Sequence, residues 1–202
     1  MEIKAVAGLI LSAGKSERMG RPKALLRFRG SCFLTHILKE AASSRLTDVK
    51  VVLGHDAQAI LQELPEIEPR TIFNRQYGRG QLSSLQCGLE HFRSHSLDGV
   101  MVFLIDHPMI HHRLINRLLD AFSENDSPIV IPSFSRRRGH PMIFGADVFG
   151  ELLSEPLEEG AVSVVRKHEH QILHLEVDDP GVLVDIDTPE AYEKHVVKPG
   201  KA

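Results

Sequence analysis

The sequence predicts an α/β protein with a Rossmann-like, three-layer αβα fold and a mostly parallel central sheet. Short apolar runs without a period of two recur along the 202 residues, and such runs are typical of strands buried on both faces. Segments with apolar residues at helical spacing lie between these runs. The composition, with 42% hydrophobic and 25% charged residues, is that of an ordinary globular protein and excludes a disordered, collagenous or coiled-coil chain.

Five apolar runs are the predicted strands, and they span residues 5–11, 49–53, 70–73, 100–105 and 129–131. Three amphipathic stripes are the predicted helices. They are formed by Phe33, Ile37 and Ala41 and then Leu46, by Leu82, Leu85, Leu89 and Phe92, and by Leu114, Ile115, Leu118, Leu119 and Phe122. Because strand and helix alternate, we expect right-handed crossovers and ligands beyond the carboxyl ends of the strands.

The pattern changes after the fifth predicted strand. Residues 133–139 form a polar, basic connection between the apolar runs 128–131 and 141–144, which predicts a hairpin-like excursion. Two further runs, 172–177 and 182–186, flank an Asp-Asp-Pro-Gly sequence that favours a tight reversal.

The charge balance excludes a general affinity for polyanions. Lys and Arg total 24 and Asp and Glu total 27, so the formal net charge is −3 with neutral histidines. No global positive field attracts nucleic acid or an anionic membrane, and neither is an expected partner. No internal repeat or linker divides the chain, so we expect one domain over residues 1–202, with a frayed tail after Val197.

Two features favour a cytoplasmic location. The apolar run 6–11 is too short to span a bilayer and lacks the flanks of a signal peptide. Cys32 and Cys87 are the two cysteines, and they lack the paired spacing of a zinc or iron–sulfur site. Because both fall on apolar faces of predicted helices or at their starts, we expect buried, inert thiols in a reducing compartment.

The most informative segment follows the first predicted strand and reads LILSAGKSERMGRPKALL over residues 9–26. Small residues let backbone N–H groups approach an anion closely, so the peptide donors of residues 12–14 are suited to hold a phosphate chain. The basic side chains that would neutralise its charge are Lys15, Arg18, Arg21 and Lys23. The glycine spacing matches neither the P-loop nor the dinucleotide fingerprint. A solvated basic surface loop would explain the same composition.

This segment resembles the signature loop of the MobA-like nucleotidyltransferases, L-[AS]-[AG]-G-x-S-x-R-M-G-x-x-K. The matching positions are Leu11, Ser12, Ala13, Gly14, Ser16, Arg18, Met19, Gly20 and Lys23. The resemblance implies a nucleotidyltransferase fold in which an acceptor phosphate attacks the α-phosphorus of a nucleoside triphosphate and pyrophosphate leaves. It also implies that the first four of these residues and Lys23 bind the nucleotide, and that Arg18 and Lys23 act in catalysis.

Nucleotidyl transfer needs charge neutralisation, and carboxylates occur where the resemblance implies a Mg²⁺ site. Asp106 follows the predicted strand 100–105 and matches the family's D-x-P pattern, which implies a metal ligand and catalytic residue. A turn or helix cap is the structural alternative. Near the C-terminus, Asp187 stands in a D-T-P-E sequence and is the predicted second ligand, with Asp185 as the other candidate. Asp187 or Thr188 would also serve as the cap of the following helix.

A third segment, residues 74–89, resembles the family's N-x(5)-G-x-S-S-L-x-x-G-L element. The resemblance implies contacts to the base and ribose. The residues expected to make them are Asn74, Gly80, Gln81 and Ser84. Gln81 replaces the more usual Met and adds an amide that can bond to a base edge. The structural alternative is that Ser83 or Ser84 only caps the helix.

Residues 136–141, RRRGHP, resemble the R-x-G-H-P segment of the molybdopterin cytidylyltransferase branch. The resemblance implies that Arg138 and His140 bind the acceptor, where a planar guanidinium suits a phosphate. Three adjacent arginines are also typical of a solvated turn. A zinc site beside Asp106 is an alternative metal centre, although Mg²⁺ chemistry calls for oxygen ligands. The histidines that would form it are His107, His111 and His112.

Together these resemblances imply Mg²⁺-dependent transfer of CMP from CTP to molybdopterin, with release of pyrophosphate. A molybdenum hydroxylase is then the expected recipient of the product. The nearest alternative is a guanylyltransferase that uses GTP, and another is a sugar-phosphate nucleotidyltransferase of the same fold. A third is a nucleotide-binding protein that delivers the cofactor without catalysis, although such a protein would not need both Asp106 and Asp187.

Overall fold

The computed structural model describes residues 3–198. Its strands are Val6–Ser12 (β1), Arg27–Phe28 (β2), Ser31–Cys32 (β3), Val49–Leu53 (β4), Thr71–Phe73 (β5), Gly99–Leu104 (β6), Ile129–Phe134 (β7), Arg137–Arg138 (β8), Met142–Gly145 (β9) and Ile172–Glu176 (β10). Its α-helices are Phe33–Ala42 (α1), Ala57–Glu63 (α2), Gln81–Phe92 (α3), His112–Glu124 (α4), Phe149–Ser154 (α5), Ala161–Lys167 (α6) and Pro189–Tyr192 (α7). Each of the five strands and three helices predicted first is confirmed, with bounds that shift by a few residues.

Most of the strands form one central sheet, in the order β10-β7-β9-β6-β1-β4-β5, and β8 pairs with the end of β7. β6, β1, β4 and β5 are parallel neighbours, as the alternation of strand and helix predicts. β9 runs antiparallel to both β6 and β7, while β10 is parallel to β7. The sheet is therefore mostly parallel, which confirms the predicted fold class.

Helices cover both faces of the sheet, and as a result β1 is buried on both sides. Val6 and Ile10 belong to a core on one face that includes Ile37 of α1 and Leu114 of α4. Leu9 belongs to the core on the other face, with side chains of α3, α5 and α6. Burying a side chain such as Leu9 or Ile10 stabilises the fold by roughly 1.5–3 kcal/mol. The uniformly buried β1 is therefore a strand against which both helix layers pack.

The predicted hairpin-like excursion is present and completes the sheet. After β7 the chain turns through β8 and returns as β9, in which Phe144 lies opposite Ile129. The same strand pairs with β6 and therefore lies between β7 and β6. Gly139 N donates to Pro132 O at 2.8 Å, and a Cβ at Gly139 would lie 2.5 Å from Val182 O. Only glycine therefore fits this close approach.

The run 182–186 is not a strand. The chain makes a 3-10 turn over Pro180–Leu183, and the Asp179 side chain accepts a backbone hydrogen bond within it. The predicted tight reversal is thus confirmed, but the residues that follow it do not join the sheet as a strand. They cross the carboxyl edge of the sheet instead, where Ile186 N donates to Asp106 O at 2.8 Å.

The two cysteines differ in exposure. Cys32 is buried, as predicted, but Cys87 is only partly buried, so the prediction for Cys87 is wrong. Helix α3 turns the Cys87 thiol towards the edge strand β5, where Sγ lies 3.8 Å from Phe73 O. Partial burial still raises the pKa of the Cys87 thiol, which keeps it protonated and weakly nucleophilic.

Two other sequence predictions concern the chain ends and membranes. The predicted fraying after Val197 falls, apart from Lys198, on residues outside the described part of the chain. Among the helices of residues 3–198, none is long and apolar enough to cross a membrane.

The carboxyl ends of β1, β4 and β6 meet at one edge of the sheet. Leu11 of β1 lies opposite both Val52 of β4 and Leu104 of β6. The loops that follow these three strands therefore emerge side by side, which is where ligands of parallel sheets bind.

Candidate active site

The loop after β1 closes on itself through two left-handed backbone conformations. Ser16 has φ 53° and Gly20 has φ 64°, and Gly20 N donates back to Ser16 O at 3.2 Å. The Ser16 hydroxyl accepts a hydrogen bond from Lys23 N at 3.1 Å. Because glycine enters the left-handed region without steric cost, Gly20 lets the chain return and brings Lys23 back to the end of β1.

A cavity of about 190 Å³ opens between this loop, the start of α3 and the end of β6. Among the residues that line it are Leu11, Ser12, Ala13, Gly14, Lys23, Gly80, Gln81, Ser84 and Asp106. All of these are site residues predicted from the sequence, and the fold brings them together from three separate loops. Arg18 lies in an adjoining cavity that shares Lys23 with the first. The roles of these residues in nucleotide binding remain predictions.

Lys23 lies between two carboxylates beside this cavity. Its Nζ donates to Asp106 Oδ2 at 2.8 Å and also to Asp187 Oδ1. The other oxygen of Asp187 pairs with Arg18. Burial disfavours the charged amine, but the two carboxylates outweigh it and raise the pKa of Lys23. Burial likewise works against the Asp187 charge, and the hydrogen bond and charge of Lys23 reverse the balance, so the pKa of Asp187 is lowered.

Thr188, rather than Asp187, caps the last α-helix. The Thr188 hydroxyl accepts a hydrogen bond from Ala191 N at 3.2 Å, and Pro189 occupies the first helical position. The alternative in which Asp187 is the cap is therefore wrong, because the Asp187 oxygens are taken up by the two cations, one of them Lys23.

A separate group of donor atoms lies next to this network. One donor atom from each of Asp106, His107 and Asp185 lies within 4.8 Å of the others. Asp106 Oδ1 and His107 Nδ1 are buried and have no hydrogen-bond partner among residues 3–198. Burial and the charges of Asp106 and Asp187 raise the pKa of Asp185. Crowded carboxylates and a buried oxygen without a partner both call for a cation, so these residues fit a divalent metal ion.

The other histidines near Asp106 have structural roles. His111 caps α4, because its Nδ1 accepts a hydrogen bond from Leu114 N at 3.1 Å, so Asp106 is not the cap of that helix. The His112 ring lies 3.1 Å from the carboxylate of Glu40. Within the described chain these two histidines therefore do not join a zinc site beside Asp106.

Asn74 is buried, 4% exposed, and organises the start of α3. Its Nδ2 donates to Ser83 Oγ at 2.9 Å and to Ser84 Oγ at 3.0 Å, and its Oδ1 accepts from Gln76 N at 2.8 Å. Gly80, with φ 99°, takes the N-cap position of α3, so the alternative in which a serine caps this helix is wrong. Asn74 thus holds Ser84 in the cavity wall, and its own contact with a nucleotide remains a prediction.

Three residues that follow β4 and β5 also belong to the site and were not predicted from the sequence. Asp56 and Tyr77 line the cavity. A Cβ at Gly54 would lie 2.7 Å from Ala13 O and 2.6 Å from Tyr77 Cβ, so only glycine lets the two loops pack this closely. The available signal was the Gly-His-Asp sequence directly after a predicted parallel strand, at the edge where ligands bind.

A second cavity of about 370 Å³ adjoins the first and shares Leu11, Gln81 and Leu104 with it. Most of its remaining lining is apolar. The apolar residues are Leu82, Leu85, Val102, Ile131, Met142, Phe144, Leu157, Ala161, Val162 and Val165. Arg138 and His140, the two residues predicted to bind the acceptor, also line it.

Arg138 and His140 have different surroundings. Arg138 is exposed, pairs with Glu169, and has a guanidinium nitrogen 3.4 Å from His174 Nε2. The His140 ring lies 4.6 Å from that of His107, centroid to centroid. Burial, with a smaller contribution from His107, lowers the pKa of His140 to about 3. His140 is therefore neutral at physiological pH, and Arg138 supplies the positive charge beside this cavity.

The fold and the site together define a nucleotide-binding α/β transferase: a parallel sheet whose carboxyl edge carries a closed basic loop, a lysine between two carboxylates, and an acidic group that fits a cation. The chain belongs to the MobA-like NTP transferase domain family, whose match spans residues 8–172. The resemblance noted from the sequence is thus confirmed. Membership of this family supports an enzyme of the nucleotidyltransferase kind.

Three proteins that are each 30% identical to this chain have different names. Nicotine blue oxidoreductase of Paenarthrobacter nicotinovorans is 30% identical over 206 residues, covering 94% of this chain and 95% of that protein. Purine catabolism protein PucB of Bacillus subtilis (strain 168) is 30% identical over 195 residues, covering 92% and 93%. A probable molybdenum cofactor guanylyltransferase of Bacillus cereus (strain G9842) is 30% identical over 132 residues, covering 65% and 64%.

Solved structures share the fold. Rv0371c from Mycobacterium tuberculosis H37Rv superposes with a TM-score of 0.83 at 26% identity, covering 94% of this chain and 96% of that one. Its complex with manganese superposes with a TM-score of 0.75 at 24% identity, covering 96% and 98%. CMP:2-keto-3-deoxy-manno-octonic acid synthetase complexed with CTP has a TM-score of 0.69 at 16% identity, covering 94% and 95%. The last two structures are less than 25% identical to this chain, so their similarity shows a shared fold alone.

Proposed function

We propose that this chain transfers CMP from CTP to molybdopterin with release of pyrophosphate, and that Mg²⁺ assists the reaction. The observation that carries the transfer chemistry is the position of Lys23 between Asp106 and Asp187, beside a cavity lined by residues 12–14. Positioning and charge neutralisation supply most of the rate in phosphoryl-type transfers. A lysine held in place by two carboxylates is well suited to that task.

The triphosphate binds along the loop after β1. Backbone N–H groups of Ser12, Ala13 and Gly14 face its oxygens, and Lys23 and Arg18 neutralise its charge. An oxygen of the acceptor phosphate then attacks the α-phosphorus, the bond to the bridging oxygen breaks, and pyrophosphate leaves. Lys23 stabilises the charge that develops during this exchange. The divalent ion, held in part by Asp106, supplies further neutralisation of the phosphates when it is bound.

The choice of CTP rests on the polar lining of the first cavity, together with the resemblance of residues 137–141 to the cytidylyltransferase branch. Gln81 and Ser84 offer an amide and a hydroxyl to a base edge. A few such hydrogen bonds are sufficient to discriminate between bases.

The choice of acceptor rests on the second cavity. Its largely apolar lining suits a planar heterocycle such as a pterin, and the exposed guanidinium of Arg138 suits the acceptor phosphate. A sugar phosphate is less suited to this cavity, because it has no planar aromatic face to pack against the apolar side chains. A molybdenum hydroxylase is the expected recipient of the product.

Guanylyl transfer to the same acceptor is the second candidate. It is favoured by the name of the Bacillus cereus relative, a probable molybdenum cofactor guanylyltransferase. The two candidates use the same loop, lysine and acceptor cavity, and they differ only in the base that the first cavity accepts. A protein that only delivers the cofactor would have no need of Lys23 paired with both carboxylates.

Pyrophosphate release tests both candidates in one experiment. The protein is incubated with Mg²⁺ and each of the four nucleoside triphosphates, with and without molybdopterin. We expect release only with CTP and molybdopterin together, and none from the Asp106→Asn variant. Release with GTP instead of CTP would support the second candidate. No release with any nucleotide would overturn the proposal of catalysis.

A further inference from the structure

The carboxylate oxygens around Lys23 differ in whether they have a hydrogen-bond or ion-pair partner. Asp187 uses one oxygen for Lys23 and the other for Arg18. Asp106 uses Oδ2 for Lys23, while its Oδ1 is buried without a hydrogen-bond partner among residues 3–198. Asp185 forms no ion pair within the same part of the chain. The three carboxylates face two cations, so one negative charge is left without compensation, on the side of Asp106 and Asp185.

A nitrogen donor lies on that same side. His107 Nδ1 is buried and has no hydrogen-bond partner within the described residues. A donor atom of His107 lies within 4.8 Å of donor atoms of Asp106 and Asp185. The His107 ring packs against the His140 ring at 4.6 Å, which restricts its orientation. Three residues with donor atoms close enough to share one ion therefore lie on the side of the uncompensated charge, and two of them, Asp106 and His107, each carry a buried polar atom without a partner among residues 3–198.

We propose that Asp106, His107 and Asp185 are the protein ligands of the divalent ion, and that Asp187 is a positioning residue that holds Lys23 and Arg18. This assignment differs from the ligand pair expected from the sequence, Asp106 with Asp187. It rests on the proposed function only in that the ion is the one required for nucleotidyl transfer.

The donor set has a consequence for the choice of metal. Carboxylates alone suit Mg²⁺, whereas an imidazole nitrogen suits the transition metals, and Mn²⁺ accepts both kinds of donor. A site with two carboxylates and one imidazole therefore binds Mn²⁺ more tightly than Mg²⁺. Asp187, in contrast, acts through Lys23 and Arg18, so its loss should disturb these cations without removing a metal ligand.

Electron paramagnetic resonance with Mn²⁺ tests the assignment without any turnover. The free-ion signal is titrated with the full chain, with Mn²⁺ alone and with the non-hydrolysable α,β-methylene analogue of CTP or of GTP. We expect Asp185→Asn to weaken Mn²⁺ binding at least tenfold and Asp187→Asn to weaken it less than threefold. Tenfold weakening in Asp187→Asn with unchanged binding in Asp185→Asn would overturn the assignment. Failure of the wild-type chain to bind Mn²⁺ under all these conditions would overturn it as well.

Pulsed measurements on the same samples test His107 directly. We expect a ¹⁴N coupling to Mn²⁺ in the wild-type chain, which is lost in His107→Asn and kept in His140→Asn. If His107→Asn does not fold, as judged by circular dichroism, the wild-type spectrum still decides, because the absence of a ¹⁴N coupling excludes an imidazole ligand. A coupling that persists in a folded His107→Asn variant would equally overturn the role of His107.

Failure of this inference is distinguishable from failure of the proposed function. If Mn²⁺ binding depends on Asp185 and His107 but no pyrophosphate is released with CTP and molybdopterin, the ligand assignment stands and the proposed function fails. If cytidylyl transfer occurs while Mn²⁺ binding is insensitive to Asp185→Asn, the proposed function stands and the ligand assignment fails.

Discussion

Lys23 and Asp106 are 83 positions apart in the sequence, and their side chains meet at 2.8 Å between Nζ and Oδ2. The contact exists because β1 and β6 are parallel neighbours, with Leu11 opposite Leu104, so the segments that follow them emerge together. The loop after β1 supplies the cation and the end of β6 supplies the anion. This pair joins the loop that we propose binds the triphosphate to the acidic side of the site.

Lys23→Ala should lower kcat for nucleotidyl transfer by about 10²–10³-fold, equivalent to roughly 2.7–4 kcal/mol of transition-state stabilisation. The reason is that Lys23 carries the fixed positive charge nearest both carboxylates, and its raised pKa keeps it protonated at neutral pH. Pyrophosphate release under saturating CTP and molybdopterin measures the effect. The exposed Lys39→Ala on α1 is the matched control and should leave kcat unchanged. Wild-type turnover in Lys23→Ala would favour the alternative in which the loop is only a solvated basic turn.

Arg138→Ala should raise the KM for molybdopterin by about tenfold or more and leave the KM for CTP unchanged, because a charged hydrogen bond contributes about 1.5–3 kcal/mol. Arg138 lines the second cavity, which we propose holds the acceptor, whereas the neighbouring Arg137, also exposed, does not line it. Arg137→Ala is therefore the control. Initial rates at varied acceptor and fixed CTP separate the two constants. An equal rise in the KM for molybdopterin in both variants would contradict a specific contact from Arg138 and would indicate that acceptor binding depends only on the total charge of the three arginines.

Gly88→Ala should destabilise the fold by about 1–3 kcal/mol through overpacking. A Cβ at Gly88 of α3 would lie 2.3 Å from Leu9 Cδ2 in the middle of β1. Gly150 in α5 has nothing within 4 Å of the same position, so Gly150→Ala should instead stabilise by about 0.5–1 kcal/mol. Urea unfolding of both variants gives the comparison, and a Gly88→Ala variant as stable as the wild type would contradict this packing.

Asn74→Ala should lower the free energy of unfolding by about 1–3 kcal/mol, because it removes the hydrogen-bond partner of Gln76 N and of the Ser84 hydroxyl and one of the partners of the Ser83 hydroxyl. It should also raise the KM for CTP, since Ser84 lies in the cavity wall. Thermal or urea unfolding and steady-state kinetics measure the two effects. A change in KM with no change in stability would indicate direct contact with the nucleotide, as the sequence predicts.

Stability should fall as the pH drops below about 6.5, in part because of His36. This side chain is 8% exposed, and burial lowers its pKa from the ordinary value of 6.5. As the pH falls, His36 therefore takes up a proton in the unfolded chain before it does so in the folded chain. The contribution of the neutral His36 to the free energy of unfolding is fully present above about pH 6.5, and it is lost as the pH falls from there to the lower pKa of the folded state. Urea unfolding at pH 7.5 and 5.5 should show a smaller difference for His36→Phe than for the wild type. The exposed His170→Asn is the control, and an identical pH dependence in all three proteins would contradict the role of His36.

Much of the fold and of the loop after β1 followed from residue types close together in the sequence. The first six residues of β1 are Val, Ala, Gly, Leu or Ile because both faces of the strand are buried, and that pattern is visible without coordinates. Gly20 likewise marks a loop that must turn tightly, and the small residues after Leu11 predict close approach to an anion. Such features depend on local chemistry, so the sequence by itself determined them.

Other features depend on contacts between distant segments, and only the tertiary structure decided them. The sequence does not show that β9 inserts between β7 and β6, or that Gly54 must be small because Ala13 O lies against it. Asp185 and Asp187 are also indistinguishable by type and spacing. They differ because Asp187 forms ion pairs with Lys23 and Arg18, whereas Asp185 has a donor atom within 4.8 Å of donor atoms of His107 and Asp106. The partners of a charged side chain are set by the packing of loops from opposite ends of the chain, and residue type alone does not contain that information.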